Sequence, residues 1–148
     1  MANDAKKAIE NAGSTITEVK VEGNKNRFLL LKKDLELIDS VNLDEKAPPC
    51  LLPKYDSLLL GHKDRRRIIR DEYKPHVFKP KVGDIAATVL INGRIVGTWR
   101  QHKAKRMLTI TVTPFERIGR QDLKEVEQTA GELGHHMGYE ETKMTVAH

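Results

Sequence analysis

The chain has 148 residues, the size of one ordinary domain and too short for a large multidomain enzyme. Hydrophobic residues at 39% and charged residues at 32% give the balance of a soluble folded chain, and aromatic residues at 5% leave the core to Leu, Ile, Val and Ala. The net charge of +5 is unevenly spread, with local balances of −1 over residues 1–60, +9 over 61–106 and −3 over 107–148, and no apolar stretch approaches the roughly 20 residues of a membrane span.

Asp4 to Ala12 predicts a short helix, with Asn3 or Asp4 as cap and Gly13 as stop. Ile16, Val19 and Val21, then Gly23-Asn24, then Phe28 to Leu31 read as two strands around a polar turn, and Lys32 to Ile38 as one or two helical turns. Helix followed by hairpin is the second half of a winged-helix layout. Pro48-Pro49 and Pro53 predict an extended connection, because proline restricts its own backbone and that of its predecessor.

Leu51 to Asp56 and Leu58 to Gly61 predict packed strand and turn, with Tyr55 among the leucines. His62 to Lys81 is the most charge-dense segment and reads as loop, with a short helix through Arg66 to Asp71 and no long one because of Pro75 and Pro80. From Asp84 the signal sharpens: Ile85 to Ile91 and Arg94 to Arg100 flank Asn92-Gly93, a two-residue hairpin turn. If Ile91 faces Arg94, then Val89 faces Val96 and Ala87 faces Thr98, with Leu90 beside Ile95 on the other surface. His102 to Arg106 is the expected turn into a third strand, Met107 to Thr113, closed by Pro114. Leu123, Val126, Ala130, Leu133 and Met137 recur at helical spacing and predict a helix from Glu116 or Arg120 to Met137, laid over the sheet and stopped by Gly138.

Chemistry is harder to find. His135 and His136 are adjacent and point about 100° apart on a helix, and no His-Glu-x-x-His order occurs, so a metal site is not expected. Asp56, Asp64, Asp71, Glu72 and Asp84 have no spacing that forces two carboxylates together, and Asp56 reads as a turn residue or an arginine partner. Cys50 is the only cysteine, which excludes an internal disulfide and fits a cytoplasmic setting; with no local base it reads as a buried small hydrophobe. Phosphate-cradling glycine motifs are absent, and no cofactor is expected.

The basic run is the informative feature, because phosphate binding needs only accumulated positive charge with suitable reach. Its candidates are Lys63, Arg65, Arg66, Arg67 and Arg70, followed by Lys74, Lys79 and Lys81, and extended by Arg94, Arg100, Lys103, Lys105 and Arg106. An ordinary solvated face stands beside that reading. Trp99 and Tyr73 could stack on bases, although Trp99 reads better as core across its hairpin.

Leu52-Pro53-Lys54-Tyr55-Asp56, Leu58-Leu59-Leu60-Gly61-His62-Lys63-Asp64-Arg65, Val77-Phe78-Lys79-Pro80 and Val89 to Arg100 occur in an order that resembles the C-terminal region of a bacterial family. It is the winged-helix DNA-binding family that includes the alkylpurine and crosslink-unhooking DNA glycosylases. The resemblance implies an α+β chain: a partial winged helix over 1–42, a linker at 43–50, a small β-barrel-like antiparallel domain with a C-terminal packing helix over 51–140, and a flexible tail at 141–148.

It also implies a DNA-binding or DNA-positioning accessory module that contacts duplex phosphates through Lys63, Arg65, Arg66, Arg67, Arg70, Arg94, Arg100 and Lys103. Its partners would be double-stranded DNA and either upstream winged-helix domains or another protein, with no membrane. The glycosylase members' Gln-x-Gln or Gln-x-Asp motif lies in an upstream region with no counterpart in this sequence. Gln121-Asp122 lacks the intervening residue and belongs to another element, so catalysis is not carried onto it. A structural or protein-interaction module, self-associating or not, is the alternative.

Overall fold

The computed structural model describes residues 2–41 and 46–147. They fall into two compact units, Met1–Glu45 and Lys46–His148.

In the first unit, helix α1 (Ala2–Ala12) ends at Gly13, whose φ of +47° is a left-handed conformation that glycine adopts without strain. Strands β1 (Ile16–Lys20) and β2 (Arg27–Leu31) pair antiparallel from Ile16↔Leu31 to Lys20↔Arg27. A 3₁₀ turn and helix α2 (Leu35–Ser40) follow. Thr17, Val19, Phe28 and Leu30 share the half-buried side of this ribbon. No described side chain of this unit is fully buried, and Leu29, Leu35, Leu37, Ile38 and Val41 are exposed.

The second unit is built on a five-stranded sheet in the order β3 (Cys50–Leu52), β6 (Thr88–Ile91), β7 (Arg94–Ala104), β8 (Met107–Pro114) and β9 (Glu141–Val146). Between β3 and β6 lie two one-turn helices, α3 (Ser57–Leu60) and α4 (Lys74–Val77), and a small ribbon of β4 (Phe78–Lys79) with β5 (Asp84–Ile85). Helix α5 (Arg120–His136) connects β8 to β9. Asp56 caps α3 by accepting from the Leu58 amide at 2.8 Å.

Strand β6 reads Thr-Val-Leu-Ile without polar alternation because both of its faces are covered. On one side Val89, Ile91, Trp99, Leu108, Ile110 and Val112 pack with Val126 and Ala130 of α5. On the other, Leu90 and Ile95 meet Leu59, Ile69 and Val77 from the α3–α4 segment. Each fully buried Leu, Ile or Val contributes about 1.5–3 kcal/mol, so the core lies in this unit.

Several expectations are corrected. The sheet is open and mixed rather than a closed antiparallel barrel: among the described residues β3 and β9 are its edges, and β9 runs parallel to β8. Residues 141–146, expected as part of a flexible tail, form that edge strand, because Thr142, Met144 and Val146 align with Leu108, Ile110 and Val112.

The β6–β7 register begins as expected at Ile91↔Arg94 and Leu90↔Ile95, but then shifts to Val89↔Gly97 and Thr88↔Thr98, so Val96 is passed over as a bulge. Strand β7 continues to Ala104, and the turn into β8 is only Lys105-Arg106. The short helix expected at Arg66 to Asp71 lies later, at α4, with Pro75 in its first turn, where a missing amide costs nothing. Cys50 and Tyr55 are exposed. Tyr55 sits at φ 60° and reaches Asp84 instead of packing among leucines.

Candidate nucleic-acid interface

The basic segment between α3 and α4 is held down by its own arginines. Arg65 is half-buried; its Nε donates to the Leu59 carbonyl and its guanidinium lies 5.0 Å from the Phe78 ring centroid. Arg66 folds back onto Asp64 through Nε at 3.0 Å and an Nη at 2.7 Å, and this hydrogen-bonded guanidinium holds the Asp64 carboxyl well below its usual range. Arg70 reaches Glu116 at 2.6 Å and Glu72 at 3.6 Å. Glu116 also accepts from the Tyr73 hydroxyl, which raises the phenol's pKa. Tyr73 stacks on Phe115 with centroids 4.7 Å apart, so its ring already has a partner. Three of the eight candidate cations therefore act first as parts of the fold.

Lys63 and Arg67 are exposed in the same segment. Arg94, Arg100 and Lys103 lie on β7, and alternate residues of a strand point to opposite sides. Trp99 and Lys103 are opposite Val112 and Leu108, on the α5 side, whereas Arg100 is opposite Thr111 and points away. Arg94 lines a cleft of about 180 Å³ with Ile68, Arg70, Phe115, Glu116 and Asp122. Arg94 and Arg70 are thus brought together at this cleft, while Arg100 lies farther along β7, on the side of the sheet away from α5. Among the described residues no ion pair engages Lys63, Arg94, Arg100 or Lys103.

The sequence reading missed Lys143, placed by the unexpected strand β9 beside Thr109 on the Arg100 side of the sheet. It also missed the threonines there. Their alternation with Leu108, Ile110 and Val112 was visible, but which face stays open was not. Trp99, by contrast, is core as expected and donates through Nε1 to the Leu52 carbonyl at 2.9 Å. Among the described residues no cluster of three or more His, Cys, Asp or Glu could hold a metal ion, and no helix is long and apolar enough to cross a membrane.

A family model described as DNA glycosylase AlkZ-like matches residues 1–136. The chain belongs to the AlkZ-like family. Its structure is similar to that of Streptomyces sahachiroi DNA glycosylase AlkZ, with a TM-score of 0.75 and 26% sequence identity over 99% of this chain. That match covers 38% of the AlkZ chain, so this sequence corresponds to well under half of the AlkZ structure. No curated protein matches it.

Proposed function

We propose that this chain is a DNA-contacting module of the AlkZ-like family, which holds duplex DNA through phosphate contacts and excises no base itself. The family match carries the reading, since the similar solved protein is a DNA glycosylase. The +9 balance of residues 61–106 supplies the charge, and Lys63, Arg94, Arg100 and Lys103 supply cations that no described acid neutralises. In the cleft beside Arg94 the carboxylates Glu116 and Asp122 are engaged by Arg70 and Lys46.

Fluorescence anisotropy with a labelled duplex tests this. Saturable micromolar binding should weaken on the order of a hundredfold between 50 and 200 mM salt if about four phosphates are contacted. No binding at the lower salt would overturn the proposal. One observation favours the interaction-module reading: Leu29, Leu35, Leu37, Ile38 and Val41 of the first unit are exposed. Saturable self-association without DNA binding would establish that reading instead.

A further inference from the structure

The side of the sheet away from α5 carries a regular polar array. Across β7, β8 and β9 the register sets Thr98 beside Thr113, then Arg100 beside Thr111 and Thr145, then His102 beside Thr109 and Lys143. Side chains directly opposite on neighbouring strands lie about 4.5–5.5 Å apart. The Thr145 and Thr111 hydroxyls touch at 3.1 Å, which places both on one surface. Arg100, His102 and Lys143 are exposed. At one end Thr98 and Thr113 continue into a groove lined by Tyr73, by Pro75 and His76 of α4, by Lys79 of β4 and by Phe115. Strand parity puts one carboxylate, Glu141, on this side of β7–β9.

The chemistry of this array is specific. Arginine, lysine and threonine are side chains that contact phosphate oxygens, and short threonines let a backbone approach a sheet closely. Single-stranded nucleic acid is held largely by stacking bases on aromatic rings, and on β7–β9 this side presents no Phe, Tyr or Trp ring and only the imidazole of His102, because Trp99 points to the α5 core, while Tyr73 and Phe115 in the adjoining groove stack on each other. Resting on the DNA reading above, we propose that this open face is the phosphate-binding surface. It receives one backbone of duplex DNA, with Arg100 and Lys143 as cationic anchors and Thr109 and Thr111 as hydroxyl donors.

The test uses the full chain and the labelled duplex. The double variant Arg100→Gln/Lys143→Gln should lower affinity at least about tenfold and reduce the slope of log affinity against log salt by about two, one for each lost phosphate contact. Thr109→Glu, which adds a negative charge to the same face, should weaken binding in the same direction. Arg94→Gln/Lys103→Gln removes equal charge from the α5 side and should have a smaller effect. Trp99 emission and circular dichroism check that each variant is folded.

If the unaltered chain binds duplex with salt dependence but Arg100→Gln/Lys143→Gln binds equally well, this face is not the site, and the DNA reading stands. A loss confined to the Arg94/Lys103 pair has the same meaning. Tighter binding to a single strand than to duplex would overturn the duplex assignment. Failure of the unaltered chain to bind at all would sink both this inference and the reading beneath it.

Discussion

Asp84 receives Lys54 Nζ at 2.9 Å and the Tyr55 hydroxyl at 3.1 Å, and these two donors tie the turn after β3 to β5. Tyr55 has φ 60°, a conformation uncommon for a side chain of its size, so its bond to Asp84 holds a local backbone choice that the sequence did not reveal. The hydrogen-bonded Lys54 lowers the Asp84 pKa from its ordinary value. A carboxylate whose folded pKa is depressed contributes stability above its unfolded pKa, near 3.9, and loses it as pH falls through the folded value. Asp84→Asn should therefore melt at a lower temperature than the unaltered chain at pH 7. The gap should close as pH falls below about 4. Both partners reach solvent, so the gap should be small. Melting curves recorded from pH 7 to pH 2 check this, and a gap that stays constant across that range would exclude the ion pair as its cause.

Among the elements, those written in local signals were legible. Asn92 and Gly93 take φ 48° and 73°, the positive pair that a tight hairpin turn requires, and β6 and β7 flank them as expected. The α5 periodicity likewise gave its helix almost to the residue. The β7 bulge and β9 were not legible, because both depend on partners distant in sequence. Gly97, next to the bulge, lies where an added Cβ would be 2.7 Å from the Thr113 carbonyl oxygen, and β9 pairs with a strand on the far side of α5.

The contact between α5 and β9 turns on Gly134, where a Cβ would fall 1.8 Å from Thr142 Oγ1, whereas at Gly131 in the same helix it would meet nothing. Alanine is the better helix former by about 1 kcal/mol. Gly131→Ala should therefore stabilise the protein by roughly 0.5–1 kcal/mol. Gly134→Ala should destabilise it by roughly 1–3 kcal/mol through overpacking, with partial rescue by Thr142→Ala. Urea unfolding of Gly131→Ala, Gly134→Ala, Thr142→Ala and the Gly134→Ala/Thr142→Ala double variant measures all of these, and equal effects at the two glycines would show that helix propensity, not the close approach, decides.

For the whole molecule, the concentration of positive charge in residues 61–106 was legible by counting, but its distribution in space was not. Strand parity put Arg100 and Lys103 on opposite sides of β7, and local acids drew in Arg66 and Arg70, so a linear basic run became several separate surfaces.

Burial has a similar asymmetry. Every buried apolar side chain among the described residues, from Leu59 to Ala130, belongs to the unit Lys46–His148, and the preceding unit has none. A unit that buries this little apolar surface cannot offset the conformational entropy of ordering its own chain. Residues 46–148 expressed alone should therefore unfold cooperatively, with a midpoint within about 4 °C of the full chain, equivalent to less than about 1 kcal/mol. Residues 1–45 alone should show no cooperative thermal transition. Differential scanning calorimetry of the two pieces decides the matter. A drop in the 46–148 midpoint well beyond that range would mean that the first unit contributes to the stability of the second, and its exposed leucines would then need a different explanation.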